Sequence, residues 1–165
     1  MIAHLSKPEY VHVLLNPLPI YGLAVGVVGL IIALCLRSRP ARVTALALVM
    51  LSAASAWPVY HYGEAGYDRV QTMIDEEGDK WLEEHRRRGE QLIYVFYLIA
   101  VLSAVGIITQ FALPRAALPM AAATLILAVT NLGVGAYIAQ AGGRIRHKEF
   151  RFAAPPQPDM GTASQ

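Results

Sequence analysis

Four long apolar runs alternate with short polar links along this chain, at residues 18–36, 43–60, 92–113 and 117–139. Each run has close to the roughly 20 residues that a helix needs to cross a bilayer core. Backbone N–H and C=O groups inside hydrocarbon must be paired within their own segment, so we expect helices rather than strands. The pattern predicts an all-α integral membrane protein whose four transmembrane helices form two hairpins.

One long charged segment, residues 63–91, separates the second run from the third. Apolar residues recur at helical spacing on both sides of Gly78, so we expect a helix, a break at this glycine and a second helix that continues into the third apolar run. A charged amphipathic segment of this kind is typical of a helix lying at the membrane interface. We therefore interpret Arg86, Arg87 and Arg88 as contacts to lipid headgroups.

The rest of the chain divides around this membrane domain. Residues 1–17 form an N-terminal segment, residues 18–148 the four-helix transmembrane domain with its interfacial segment, and residues 149–165 a tail. The tail is rich in small residues, polar residues and proline, and such a composition predicts disorder.

Prolines and glycines predict where the helices end or bend. We expect Pro58 to kink or end the second helix and Pro119 to start the fourth. We expect Gly142 and Gly143 to unwind the end of the fourth helix, since glycine weakens a helix interior.

Two features inside the apolar runs predict contacts between helices. Gly22 and Gly26 form a Gly-x-x-x-Gly pattern, which lets another backbone approach closely. That backbone belongs either to a neighbouring helix of the bundle or to a second copy of the chain, so a homo-oligomer or a membrane-complex partner stays open. Asn131 in the fourth run is expected to form a hydrogen bond between helices.

Composition agrees with a membrane protein and argues against other classes. Hydrophobic residues make up 55% of the chain and charged residues 16%, whereas soluble domains have about 25% charged residues. The formal net charge is only +2, and no basic stripe is present, so we expect the lipid bilayer and not nucleic acid as a partner. The single cysteine, Cys35, cannot form an internal disulfide.

Charged residues and histidines are divided unequally between the two sides of the predicted membrane. All twelve Asp and Glu residues and all five His residues fall on the side of residues 61–91 and both termini, here called face A. The other side, face B, has no acidic residue and only four of the fourteen basic residues: Arg37, Arg39, Arg42 and Arg115. Face A has more cations in total, but the short link at 37–42 is the denser cluster. We therefore expect face B to be cytoplasmic.

Three short motifs are spread over residues 10–148. They are His12-Val-Leu-Leu-Asn-Pro-Leu-Pro19-Ile, then Gly63-Glu-Ala65 followed by Glu84-His85-x-x-x-Gly89, and finally Gly142-Gly143. Together they resemble the motifs of a bacterial membrane family known only as domain of unknown function 2231. The resemblance implies a four-helix bundle with a histidine-bearing face, set in a bacterial inner membrane, and it implies no established activity.

The chain departs from that family's pattern in its first helix. The family's second histidine is replaced by Pro17, and the proline after its first histidine is replaced by Val13. Arg86 stands where the family often has glutamate. If the two family histidines form a site, half of that site is missing here or has been rebuilt.

The histidines are the best candidates for a functional site. Four-helix bundles build haem and metal sites from side chains on facing helices, and haem takes one or two axial imidazoles. The candidate residues share one membrane face or one helix stripe; they are His85, His12, His61, His147, Trp81 and Gly89. The candidate cofactor is haem b or a metal ion, and the best histidine pair for it is His85 with His12 or with His61.

A non-catalytic role is the alternative, as a structural subunit or partner protein of a larger membrane assembly. The four runs contain no Asp, Glu, Lys or Arg, whereas transporters normally place ionisable residues inside their spans. The chain also lacks the Gly-x-Ser-x-Gly turn of many hydrolases. We therefore predict no catalytic residues.

Overall fold

The computed structural model describes residues 6–155, and every regular element in that range is helical. Six α-helices are joined by a π-helical turn at Leu18–Gly22 and followed by a short 3-10 turn at Lys148–Phe150. The α-helices are α1 Pro8–Leu15, α2 Leu23–Cys35, α3 Arg39–Ala54, α4 Ala56–Gln71, α5 Glu76–Ala112 and α6 Pro114–Arg146.

Four helical stretches are long and apolar enough to cross a membrane, which confirms the predicted fold class. They are Pro8–Cys35, Arg39–Gln71, Glu76–Ala112 and Pro114–Arg146. The last three have 33, 37 and 33 residues, or about 50–55 Å of helix, against a hydrocarbon core of about 30 Å. The helices therefore continue well beyond the apolar runs, and these extensions carry the charged residues of face A.

The apolar half of the bundle packs through small and aliphatic side chains. α2 lies against α3 and α6, and α5 lies against α3 and α6. The Gly22 and Gly26 pattern faces α3, where a Cβ added at Gly26 would lie 2.8 Å from Val49 Cγ2 and 3.1 Å from its backbone nitrogen. The pattern therefore serves packing inside the bundle, the first of the two interpretations above.

The charged segment at 63–91 is not a separate surface helix. α4 carries the second span on to Gln71, and α5 begins at Glu76 and runs without interruption through the third span. The prediction of a break at Gly78 is wrong, because Asp75 caps α5 and its carboxylate accepts the Gly78 N–H at 2.9 Å. An N-cap aspartate bonds the N–H of the third helical residue, so Gly78 lies in the first turn of the helix.

The proline and glycine predictions have mixed outcomes. The helix is interrupted at Ser55, between α3 and α4, where Pro58 has no N–H to pair with the carbonyl of Ala54. Pro119 lies inside α6, which already begins at Pro114. Gly142 and its neighbour do not unwind α6, which stays helical to Arg146, because a helical glycine is needed there for the contact described below.

Both chain ends are more structured than predicted. α1 begins at Pro8, so the first span is already helical within the proposed N-terminal segment. Arg151, in the proposed disordered tail, donates to the carbonyl oxygens of Arg144 and Ile145, both at 2.7 Å. Residues 156–165 of the tail and His4 lie outside the described residues.

Asn131 does not make the predicted hydrogen bond. Its side chain is fully buried in α6, and neither amide atom has a partner within residues 6–155. Its neighbour Thr130 is exposed and donates to the Ile126 carbonyl of its own helix at 3.1 Å.

Candidate cofactor site

Two histidines meet at the face A end of the bundle, where α1 packs on α4 and α5 packs on α6. His12 of α1 and His85 of α5 are both half-buried. Their ring centroids are 6.2 Å apart, and their ring planes cross at 81°. The predicted pairing of His85 with His12 is thus the one that the fold brings together.

Each histidine ring is fixed by a backbone carbonyl on the neighbouring helix. His12 Nδ1 lies 2.8 Å from the Val59 oxygen, and His85 Nδ1 lies 3.0 Å from the Ile138 oxygen. A carbonyl oxygen only accepts hydrogen bonds, so Nδ1 carries the proton in both rings. In the neutral imidazole this leaves the Nε2 lone pair free, the arrangement that metal-ligating histidines adopt.

A glycine makes room for each ring. A Cβ added at Gly63 would lie 2.9 Å from His12 Nδ1, and one added at Gly142 would lie 3.1 Å from His85 Nδ1. Gly63 follows Val59 by four residues, and Gly142 follows Ile138 by four. Each ring therefore rests on one turn of helix that supplies both the bare glycine surface and the carbonyl acceptor.

The same arrangement occurs once in each hairpin. In both, a histidine on the first helix uses a carbonyl and a glycine on the second helix. In each ring Nε2 is the nitrogen that is not bonded to the backbone carbonyl. Nε2 of His85 lies close to α6, 3.6 Å from a Cβ added at Gly142. The repeat thus places two imidazole rings, one from each hairpin, next to each other.

A buried ion pair holds α5 against α6 beside His85. Glu84 and Arg88 are each about 5% exposed, and their side chains are joined at 2.6 Å. Arg88 Nη1 also donates to the Tyr137 carbonyl at 2.6 Å, and its guanidinium lies 3.8 Å from the Tyr137 ring centroid. Because Tyr137 precedes Ile138, this pair fixes the turn of α6 that accepts the His85 hydrogen bond.

The prediction that the arginine run contacts lipid headgroups is wrong for Arg88, because its side chain is buried, as described above. Arg86 binds Glu64 of α4 at 3.0 Å and Glu90 at 3.1 Å, and Arg87 binds Glu84 at 2.7 Å. Carboxylates on α4 and α5 thus pair with all three arginines of the run.

The other candidate residues lie away from the pair. His61 is exposed and stacks on Trp57, with ring centroids 5.6 Å apart. His147 is exposed and pairs with Glu149 at 2.9 Å. Gly89 lies beside Tyr60, whose Cδ2 would be 4.0 Å from a Cβ added at Gly89.

The glycines that accommodate the histidines are Gly63 and Gly142. In the sequence these two glycines stand out only as parts of the family-like motifs.

Trp81 is buried on the same stripe of α5 as His85, but its contacts are to α6. It is 1% exposed, the Arg144 guanidinium lies 4.5 Å from its ring centroid, and its Nε1 has no hydrogen-bond partner in the described range. Trp81 therefore anchors the end of α6.

The turn between α4 and α5 is joined to the chain beyond α6. Asp75 accepts from Arg151 at 2.9 and 3.0 Å and from Lys148 at 2.9 Å. The Arg151 guanidinium, the Lys148 ammonium and the Gly78 N–H hold the pKa of the Asp75 carboxyl well below its usual range. This cluster ties the α4–α5 turn to the chain that follows α6.

The histidine pair is the only ligand arrangement that the site offers within residues 6–155. No group of three or more His, Cys, Asp or Glu side chains able to hold a metal ion occurs in that part of the chain. No protein-family model, curated protein or solved structure matches this chain. The fold and the site together define an all-α membrane bundle with a paired-histidine site at one end.

Proposed function

We propose that this protein binds haem b, with His12 and His85 as the two axial ligands, and serves as a one-electron carrier in the membrane. The observation that supports the proposal most strongly is the pair of rings 6.2 Å apart, each with Nδ1 held by a backbone carbonyl. A metal–imidazole bond of about 2.0–2.1 Å places the centroids of two opposed imidazole rings about 6 Å apart. The observed centroid separation of 6.2 Å is close to that spacing.

The number of protein ligands favours haem over a bare metal ion. Structural zinc sites take four protein ligands and catalytic zinc sites three, whereas the pair supplies two within the described residues. Haem brings its equatorial ligands with it and needs only axial ones from the protein. When bound, it supplies one-electron chemistry, while the chain supplies the binding, the orientation and the electrostatics.

The side chains around the pair fit the holding of a rigid cofactor. The carbonyls of Val59 and Ile138 fix the tautomer and orientation of both rings. The Glu84–Arg88 pair keeps α6 in register with His85. The site lies where the helices leave the apolar runs, a position suited to exchange of electrons with a partner outside the membrane.

We further propose that the chain is a member of the family known as domain of unknown function 2231 and lies in a bacterial inner membrane. The family's second histidine is absent from the first helix, where Pro17 stands, whereas His12 and His85 both lie in the family-like motifs and contact each other. With four crossings both termini lie on face A, and the arginines of face B set that face in the cytoplasm.

A visible spectrum of the purified full chain tests the proposal. Expressed with haem supply and held in detergent, the protein should show a Soret band that shifts on reduction with dithionite. His12→Ala and His85→Ala should each lose most of the bound haem, because one axial ligand is removed. His61→Ala and His147→Ala are matched controls at the same end of the bundle and should keep it. A colourless wild-type preparation, or equal haem in all four variants, would contradict the proposal.

A further inference from the structure

The face B end of the bundle carries four arginines and no acidic residue, on the two turns that join α2 to α3 and α5 to α6. Arg37, Arg39 and Arg115 are exposed, and Arg42 is half-buried. Within residues 6–155, every ion pair to Asp or Glu is made by other side chains. Face A presents the opposite case, since its arginine run is neutralised by carboxylates.

Three contacts bring these two turns together. The Arg39 guanidinium lies 4.3 Å from the ring centroid of Phe111, near the end of α5. Arg42 Nε donates to Gln110 Oε1 at 2.9 Å, and the buried Gln110 donates in turn to the Ala117 carbonyl of α6 at 3.0 Å. The start of α3 is therefore fixed against the α5–α6 turn, and the cationic groups of both turns share one surface.

A shallow, open apolar depression lies beside Arg115. It is formed by the α5–α6 turn itself and lined by Ala112, Leu113, Pro114, Arg115 and Ala116. Leu113 and Phe111 are more than half exposed. The surface thus offers an apolar strip next to a guanidinium, at the level where a membrane helix meets the headgroups.

Arg37 occupies a backbone position that favours glycine. Its φ is 51°, in the left-handed region. It closes α2 with the bond pattern of a Schellman motif: Arg37 N–H donates to the Leu34 carbonyl at 3.1 Å, and Ser38 N–H to the Ala33 carbonyl at 3.2 Å. Glycine is the usual residue at this position because a side chain there is strained. Arg37 thus stands where glycine would be more stable.

From these observations we infer that face B is a binding surface for anionic phospholipid headgroups, with the phosphodiester on the exposed arginines and the start of an acyl chain against the exposed apolar side chains of the α5–α6 turn. Guanidinium groups bind phosphate through paired N–H donors. Cationic clusters next to a transmembrane helix attract anionic lipids of the cytoplasmic leaflet. The arginines without a carboxylate partner match the anionic headgroup of such a lipid. The exposed apolar side chains beside them match its acyl chain.

Native mass spectrometry of the full chain with an equimolar mixture of phosphatidylglycerol and phosphatidylcholine tests the inference. The wild type should retain phosphatidylglycerol preferentially. The triple variant Arg37→Gln, Arg39→Gln, Arg115→Gln should lose at least tenfold of that preference, since each arginine near the headgroups contributes about fivefold. Arg42 is left in place because it holds the two turns together.

A charge-matched control shows whether lipid binding depends on the local face B surface or only on the net charge of the protein. The triple variant Arg69→Gln, Lys80→Gln, Arg146→Gln removes three cations from face A and should keep the wild-type preference. Excess inorganic phosphate should not displace the lipid, which distinguishes a phospholipid surface from a site for free phosphate. Equal loss in both triple variants, or displacement by phosphate alone, would overturn the inference.

Two further variants keep the test decisive if the glutamine variant does not fold. Replacing Arg37, Arg39 and Arg115 by lysine keeps the charge and should keep a preference that weakens with added salt. Arg37→Gly should raise thermal stability while lowering phosphatidylglycerol retention about fivefold. A wild type with no preference, or an Arg37→Gly variant that is more stable and binds lipid as the wild type does, would refute a role for these arginines.

Discussion

Replacing Gly63 by alanine tests whether a glycine is needed to seat His12. The added Cβ would lie 2.9 Å from Nδ1 and 3.0 Å from Cε1 of the His12 ring. The ring can move only by leaving the Val59 carbonyl, to which it is bonded at 2.8 Å. The substitution therefore compresses the contact and also breaks the hydrogen bond.

The expected magnitude follows from three opposing effects. The lost hydrogen bond costs about 1 kcal/mol, and overpacking costs about 1–3 kcal/mol. Alanine in place of glycine inside a helix raises the free energy of unfolding by about 1 kcal/mol. Gly63→Ala should thus lower the free energy of unfolding by about 1–3 kcal/mol, and it should also weaken haem binding because the His12 ring is displaced.

Equilibrium unfolding in mixed detergent micelles, followed by circular dichroism, measures the change. Gly133→Ala is the matched control, because a Cβ there meets nothing within 4 Å, and it should be neutral or slightly stabilising. Combining Gly63→Ala with His12→Ala should remove the penalty, since the clash partner is gone. The reasoning fails if Gly63→Ala is as stable as Gly133→Ala, or if its penalty persists without the His12 ring.

Three other substitutions test the surrounding structure. Arg88→Met should destabilise the fold by about 1–3 kcal/mol because it removes one of the two ion-pair partners of the buried Glu84 carboxylate and leaves only the half-exposed Arg87. Glu84→Met with Arg88→Met should recover most of that loss in the same unfolding assay. Asp75 has a lowered pKa in the folded protein, so its stabilising effect is complete above the ordinary carboxyl value and declines as the pH falls from about 4 towards 2. The stability difference between wild type and Asp75→Asn should shrink over that range, and a difference that stays constant would count against the Arg151 contact. Arg37→Gly should raise the free energy of unfolding by about 1 kcal/mol in a thermal melt, and a lower value would argue against strain at that turn.

The spans and the side of the bundle that holds the site could be predicted from the sequence. Apolar runs reveal membrane helices because every residue of such a run contributes to the same signal. The start of α5 can also be predicted from the sequence, since Asp75 followed by Glu76 and Glu77 is a helix N-terminal pattern. A break at Gly78 is expected only when the low helix propensity of glycine is considered without this cap.

The seating of the histidines could not be predicted, because it depends on which helices pack together. His12 and Val59 are 47 residues apart, and His85 and Ile138 are 53 apart, so no local pattern links them. Gly63 and Gly142 look like ordinary helix-weakening residues until the rings that rest on them are known. In the same way, Glu84 and Arg88 have the spacing of an exposed helical ion pair, and only the packing of α6 shows that they are buried.

The most direct test of the central proposal is the coordination state of haem in the full chain, measured by electron paramagnetic resonance of the oxidised protein. The wild type should show a low-spin ferric signal of the strongly anisotropic kind that follows from nearly perpendicular imidazole planes, which the 81° angle predicts. His12→Ala and His85→Ala should each convert any remaining haem to a high-spin signal, whereas His61→Ala should not. A wild type without haem, or a low-spin signal that survives removal of either His12 or His85, would contradict the paired-histidine site.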